Sequence, residues 1–191
     1  MSEQLIKHLT KSIKIDQHEA EKIMAFFQPV TLNKKENLME AGQVCNANYF
    51  VVRGCLRLFF ITDKGTEQTT QFAIENWWLS DYLAFQNQQT TEFYIQAVEK
   101  TEALAITFHA QERLLKEFPQ MEKYFRIIYQ RAYGASQVRM KYEYGFSRET
   151  LYHHFNDSFP DFIQRIPQYL LASFLGFTPE YLSEIRKKKR S

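Results

Sequence analysis

The sequence contains little cysteine and no long apolar run. Among 191 residues only Cys45 and Cys55 carry thiols, and they form no C-x-x-C pair. This spacing indicates neither a disulfide framework nor a zinc site, so we expect two reduced thiols in or near a β-core. The N-terminal dozen residues lack the apolar segment of a signal peptide, and no stretch approaches membrane-spanning length. We therefore expect a cytoplasmic protein without a membrane partner.

The chain also lacks a strong excess of charge, since its formal net charge is only +2. Residues 147–191 carry seven basic and five acidic side chains, and the charges of the preceding residues balance. Five of those seven basic residues form one run, 186–190. Such a run can contact nucleic-acid phosphates, although it is also typical of a merely solvated end.

Aromatic residues are plentiful, with 17 Phe and 11 Tyr, and they predict a bulky core. Apolar residues recur at helical spacing over residues 3–27, with Asp16 as the cap of a second helix over 17–27 that ends before Pro29. From Val30 to Phe108 short β-branched and aromatic runs alternate with turn signals, which is typical of a β-barrel or sandwich. The runs that predict strands are Tyr49–Val52, Leu56–Ile61, Thr69–Ile74, Phe93–Val98 and Ala103–Thr107, and Asp63-Lys64-Gly65 predicts a hairpin turn.

A long helix is predicted over residues 119–143. Its small and apolar side chains step by three and four, which is typical of a coiled-coil seam. The seam residues are Met121, Phe125, Ile128, Ala132 and Ala135. The helix either packs on its own β-domain or pairs with a second copy, and we favour the dimer because the seam is longer than a small barrel could cover.

The segment from Gln168 to Arg186 has the spacing of a helix-turn-helix. Gly176 falls where the first helix must end in a left-handed residue, Thr178 can cap the second helix, and Pro179 suits its first turn. A break at residues 144–146 and helices near 148–156 and 161–165 precede this pair. An ordinary helical hairpin is the alternative interpretation of the same pattern.

As a helix-turn-helix, the pair would place its second helix in the major groove of double-stranded DNA. The basic run would then contact phosphates, and the exposed face of the second helix would read bases. The predicted DNA-binding residues are Gln168, Thr178, Glu180, Tyr181, Ser183, Glu184, Arg186, Lys187 and Lys188.

The β-region carries Glu40-Ala41-Gly42 and then Tyr49-Phe50-Val51-Val52-Arg53-Gly54. This resembles the glycine-punctuated start of a cyclic-nucleotide-binding β-roll. Together with the long helix and the helix-turn-helix, nearly the whole chain is similar to the Crp/Fnr transcription regulators. The resemblance implies an α+β fold with N-terminal helices, an antiparallel, jelly-roll-like β-roll, a long dimerisation helix and a C-terminal all-α domain.

That resemblance also implies a domain plan and partners. We expect a sensor domain over residues 1–118, a dimerisation helix over 119–145 and a DNA-binding domain over 146–191. The implied partners are double-stranded DNA, a second copy of the chain and RNA polymerase.

The phosphate cassette of that family is altered in this chain. The family has a Gly-Glu pair and, ten residues after the Glu, an Arg that pairs with the cyclic phosphate. The matching positions are Ser80, Asp81 and Thr91, with Tyr82 and Glu92 beside them as further pocket residues. Because Thr91 cannot supply a bidentate cation and Glu92 would repel an anion, we expect no tight binding of cAMP.

Two further departures concern sensing and DNA recognition. The cysteine cluster of the oxygen-sensing branch is missing, so no iron–sulfur centre, and indeed no cofactor, is expected. Glu184 lies where the family usually places a base-reading Arg, and no β-hairpin wing is expected after the second helix. Glutamate can accept from cytosine N4, but it opposes phosphate.

Two other classes of function compete with this interpretation. A cupin-like metalloenzyme needs several His and carboxylates inside the barrel, but none of the five His lies in a predicted strand. With no nucleophile motif either, we expect no enzyme. The other class is a ligand-sensing or protein-interaction module that no longer binds DNA, which Glu184 and the missing wing favour.

An apolar effector could bind near the altered cassette. Aromatic residues cluster there in sequence, and most are expected in the core while a few could line a site for an effector less anionic than cAMP. They are Trp77, Trp78, Tyr82, Phe85, Phe93 and Tyr94.

Overall fold

A computed structural model describes residues 2–188 of the chain and the side chains of residues 3–187. The chain divides into two compact units, Met1–Phe60 with Thr70–Gln130 and Ile61–Thr69 with Arg131–Ser191. The predicted α+β class is confirmed, since helices flank an eight-stranded antiparallel β-roll in the described residues. None of the described helices is both long and apolar enough to cross a bilayer.

Eight strands form two four-stranded sheets. The strands are β1 (Gln28–Leu32), β2 (Asn37–Met39), β3 (Ala47–Arg53), β4 (Leu56–Ile61), β5 (Glu67–Ala73), β6 (Trp78–Leu79), β7 (Tyr94–Ala97) and β8 (Thr101–Thr107). One sheet has the order β1-β8-β3-β6 and the other β2-β7-β4-β5. Pro29 lies within β1, opposite Leu104, instead of ending a helix. An edge strand accommodates proline because one side of it needs no ladder donor.

The strands divide the first unit into two cores. Along β3, Phe50 and Val52 face the helices, whereas Tyr49 and Val51 face the interior between the sheets. This alternation follows from the two-residue period of a strand. Gly54, directly after β3, has φ +102°, and a Cβ there would lie 2.6 Å from Thr101 Oγ1. Both the backbone conformation and the close approach of Thr101 therefore require glycine.

Four short helices complete the first unit together with the start of a long one. They are α1 (Ser2–Leu9), α2 (Gln17–Met24), α3 (Tyr82–Asn87) and α4 (Phe108–Glu117). Asp16 caps α2 as predicted, in a capping box with Glu19. The prediction extended this helix to residue 27, but it ends at Met24, and Phe27 packs in the helix-facing core.

The long helix α5 runs from Gln120 to Gly145, close to the predicted 119–143. Its first turns bury Met121, Tyr124 and Phe125 in the helix-facing core. Residues 120–130 of α5 belong to the first unit and residues 131–145 to the second. The predicted three-domain division stays a prediction.

The second unit contains four further helices. They are α6 (Arg148–Ser158), α7 (Pro160–Arg165), α8 (Gln168–Leu175) and α9 (Pro179–Lys188). Ser147 caps α6 by accepting from the Thr150 amide at 3.2 Å, and Pro160 opens α7. The tip of the β4–β5 hairpin, Ile61–Thr69, also belongs to this unit.

Candidate nucleic-acid interface

The turn between α8 and α9 has the geometry that the sequence predicts. Gly176 ends α8 in the left-handed region with φ +71°, and the Phe177 amide donates to the Ala172 carbonyl at 2.9 Å. A Cβ at Gly176 would meet nothing within 4 Å, so its left-handed backbone alone favours glycine here. Thr178 Oγ1 accepts from the Tyr181 amide at 3.2 Å and caps α9.

Apolar side chains pack α8 against α9. Leu171, Ala172 and Leu182 are fully buried and Ile185 nearly so, while Leu175 is only half-buried. The spacing of these residues places one face of each helix in the shared core, as it does in amphipathic helices generally. The opposite face of α9 is thereby presented outward on a fixed support.

The outward face of α9 carries Glu180, Glu184 and Lys187, which are all exposed. Tyr181 and Ser183 flank this stripe and are half-buried. Of the other predicted DNA contacts, Thr178 is exposed at the start of α9. The side chain of Lys188 and residues 189–190 lie outside the described residues, so most of the predicted basic run lies outside them too.

Gln168 links the first helix of the pair to the second. Its Nε2 donates to Ser183 Oγ at 2.7 Å, and its Oε1 accepts from an Arg186 guanidinium nitrogen at 3.4 Å. The predicted contacts Gln168, Ser183 and Arg186 are therefore brought into one network at the start of α8. Their mutual hydrogen bonds position Arg186 close to the N-terminal end of that helix.

Two basic residues that contact the α8–α9 pair were missed in the sequence. The guanidinium of Arg148, which is exposed, lies 5.9 Å from the centre of the Tyr181 ring. Arg139 donates to the Phe174 carbonyl at 2.8 Å, lies 4.0 Å over the Phe174 ring and pairs with Glu143. Nothing in the sequence near either arginine indicates the contacts with Tyr181 and Phe174, because these aromatic residues lie more than thirty positions away.

The hairpin tip holds α8 through Ser173. Ser173 Oγ accepts from the Thr69 amide at 2.9 Å and donates to the Glu67 carbonyl at 2.8 Å. Gln68 Nε2 also donates to the Ser173 carbonyl. Because β5 is an edge strand, these bonds satisfy backbone groups that no neighbouring strand could reach.

The residues of the altered cassette hydrogen-bond to one another and to the nearby backbone. Thr91 Oγ1 donates to Asp81 Oδ2 at 2.7 Å, and Asp81 Oδ1 caps α3 by accepting from the Ala84 amide at 3.2 Å. Ser80 is buried and its Oγ donates to the Ala47 carbonyl at 2.9 Å. Glu92 points into solvent. The position that the family resemblance assigns to a phosphate-binding Arg thus holds a buried, neutral hydroxyl whose partner is Asp81.

The aromatic residues around the cassette do not converge on one cavity. Trp78 packs in the helix-facing core and donates to Tyr124 Oη at 2.8 Å, whereas Phe85 packs in the core between the sheets. The Tyr82 ring lies edge-on to Tyr129, and burial raises the pKa of Tyr82. The remaining members of the group have separate surroundings, with Phe93 against Phe60, Tyr94 stacked on Phe59, and Trp77 half exposed.

The predicted dimer seam divides into a buried and an uncovered half. Met121 and Phe125 pack in the chain's own core, Ile128 and Ala132 are half-buried, and Ala135 is exposed. The seam is therefore not one continuous outward face. A different stripe of α5 is both apolar and exposed, and it consists of Tyr133, Met140 and Tyr144.

The structure holds no metal-binding cluster among its described residues, in the sense of three or more His, Cys, Asp or Glu side chains together. Cys45 and Cys55 are both buried and form no disulfide. Burial raises the pKa of the Cys45 thiol, whose sulfur lies 3.3 Å from Ser80 Oγ.

Residues 29–118 match the family model described as a cyclic nucleotide-binding domain. Over these residues the chain is similar to that domain, and its structural neighbours are Crp/Fnr-family regulators, which confirms the predicted resemblance. No curated protein sequence matches the chain.

Particular solved structures share the fold over most of the chain. FixK2 from Bradyrhizobium japonicum covers 85% of this chain and 83% of its own, with 12% identity and a TM-score of 0.70. A CooA mutant from Carboxydothermus hydrogenoformans covers 96% and 83%, with 15% identity and a TM-score of 0.71. CLP of Xanthomonas campestris, a c-di-GMP-responsive global regulator, covers 92% of both chains, with 15% identity and a TM-score of 0.71. At these identities the likeness concerns the fold alone.

Proposed function

We propose that this protein is a homodimeric DNA-binding transcription regulator of the Crp/Fnr type that does not respond to cAMP. The observation that carries the proposal is the α8–α9 pair, whose core is closed and whose second helix presents an exposed polar face. The neighbours that share the fold include a global regulator. The protein would act in the cytoplasm without catalysing a reaction, and RNA polymerase would be a further partner.

The second half of α5 supports the homodimer. At 100° per residue, Tyr133, Met140 and Tyr144 lie within about 40° of one another around the helix. Their exposed fractions are 67%, 52% and 86%. Exposed apolar stripes at spacings of seven and four are typical of helices that pair with another helix. A second copy of this chain offers the same stripe, and two-fold pairing of identical patches closes the assembly.

The cassette supports the absence of a cAMP response. A cyclic phosphate needs a cation, and Thr91 supplies only a hydroxyl that already donates to Asp81. Entry of a phosphate beside Asp81 would bring two anions together. Calorimetry that finds micromolar or tighter cAMP affinity would contradict the proposal. Any effector would be less anionic than cAMP, so a thermal-shift screen in which only nucleotides stabilise the protein would contradict that part.

A ligand-sensing or protein-interaction module that no longer binds DNA is the second candidate. The exposed carboxylates of Glu180 and Glu184 favour it, because they face outward on the helix that would approach the anionic DNA backbone. Phosphate attraction would then have to come from cations elsewhere in the chain. DNA binding at low salt separates the two candidates.

Mobility shifts on the DNA upstream of the protein's own coding sequence, over a salt series, provide that test. We expect binding at low salt that weakens as salt rises, since each phosphate contact releases counterions. The slope of log K against log salt is negative, and a Lys187→Ala variant should make it less negative by about one. Lys123→Ala, an exposed lysine on the first turn of α5, should leave the slope unchanged. Absence of binding at low salt would favour the second candidate.

A further inference from the structure

The exposed stripe of α9 contains few side chains that are free to reach a base. Ser183 and Arg186 are both tied to Gln168, and the Tyr181 ring packs edge-on against Phe177. Among the described side chains, Glu180 and Glu184 make no hydrogen bond or ion pair. A helix laid in the major groove with this face inward would bring these carboxylates to the base edges first.

The chemistry of a carboxylate restricts what Glu184 can contact there. An ionised glutamate only accepts hydrogen bonds, so neither a phosphate oxygen nor the O6 and N7 acceptors of guanine can satisfy it. In the major groove the donors are the amino groups of cytosine and adenine. Adenine carries its N7 acceptor on the same major-groove edge as its amino group, whereas cytosine carries only the amino group on its own edge. Cytosine is therefore the base that suits Glu184 best.

We propose that Glu184 is a specificity-determining residue, which selects a cytosine in each DNA half-site and rejects guanine at the same position. The inference rests on the proposed function, and it adds the base that Glu184 on α9 recognises. Rejection carries much of the effect, because guanine would leave the desolvated carboxylate unpaired against two acceptors. Replacing that cytosine by guanine should weaken binding by the wild-type protein tenfold or more.

Selection of bound duplexes from a randomised DNA library by the full-length protein tests the proposal. The wild-type protein should enrich a half-site with one strongly preferred cytosine that depends on residue 184. Glu184→Gln should shift that position to adenine, because an amide can pair with both N6 and N7. Glu184→Arg should shift it to guanine, and the other positions should keep their bases. Glu122→Gln, which removes an exposed carboxylate from α5, should select the wild-type site.

Thermal melts of each variant should be recorded first, so that only variants that retain the fold are compared. Identical base preferences in the wild type and both folded Glu184 variants would overturn the assignment of Glu184 and leave the proposed function standing. Loss of all DNA binding by both folded variants would also overturn the assignment, because replacing a residue that recognises a base should change the preferred base and keep the binding. A wild-type protein that enriches no sequence and shows no salt-dependent binding would overturn the proposed function itself.

Discussion

At the scale of single residues, the Asp81–Thr91 pair occupies two positions of the altered phosphate cassette. The hydroxyl donates to one carboxylate oxygen while the other oxygen caps α3, so the pair acts as a structural bond within the cassette. The Phe93 amide also donates to Thr91 Oγ1 at 3.0 Å. Thr91 is buried, and so each of these bonds is protected from water.

Thr91→Val therefore should destabilise the protein while leaving its shape almost unchanged. Asp81 Oδ2 and the Phe93 amide would each lose a partner, and we expect the free energy of unfolding to fall by about 1–3 kcal/mol. Denaturant titration measures the change. Thr90→Val, one position earlier and exposed, should change it by less than about 0.5 kcal/mol. Equal stability of the two variants would contradict the structural role of the pair.

The sequence shows the substitution at Thr91 but not the bond that it makes. The identity of residues 81 and 91 is enough to predict the loss of the phosphate-binding cation. That the two side chains meet at 2.7 Å depends on how α3 and β7 are placed, which no local pattern encodes. The same limit applies to Gln168, whose link to Ser183 spans fifteen residues.

At the scale of elements, long patterned segments were predictable and short ones were not. β4 has the predicted bounds, Leu56–Ile61, because its apolar and aromatic run is broken only by Arg57 and is followed directly by a turn. β2 and β6 have only three and two residues, and α3 has six, so their patterns are too short to distinguish from loops. The contact of the hairpin tip with α8 joins residues more than one hundred positions apart and leaves no trace in the sequence.

Ser173→Ala tests that contact. The Thr69 amide would lose its acceptor, and exchange of this amide with solvent deuterium should become about tenfold faster. Native-state hydrogen exchange measures the rate. Ser136→Ala, an exposed serine on α5, serves as the matched control and should leave exchange at Thr69 unchanged. If exchange at the Thr69 amide is also unchanged in Ser173→Ala, Ser173 does not hold the hairpin tip.

At the scale of the whole molecule, the order of the elements is the main support for the resemblance to Crp/Fnr regulators. A β-roll, a long helix and a terminal helix pair follow one another as the sequence predicts, and the solved regulators share this order over most of their length. Apolar periodicity identified α5 but misplaced its outward face. Met121 and Phe125 fit the predicted seam, yet their own domain covers them, and periodicity alone cannot tell an intramolecular partner from a second copy.

Met140→Glu should separate the proposed dimer. A carboxylate on the exposed stripe of α5 would meet its own symmetry mate across a two-fold contact, where like charges repel. Sedimentation velocity at micromolar concentration should show twice the chain mass for the wild type and one chain mass for the variant. Val44→Glu, at an equally exposed apolar residue of the β-roll, should remain dimeric. A monomeric wild type, or a dimeric Met140→Glu variant, would contradict the proposed contact.

Under the proposed function, two copies of α9 read one two-fold DNA site. Hydroxyl-radical footprinting of the full-length protein on a duplex selected from a randomised library tests it most directly. We expect two protected patches on one face of the duplex, about 34 Å apart, within an approximate inverted repeat. A single patch, patches without two-fold symmetry, or no protection at low salt would contradict it.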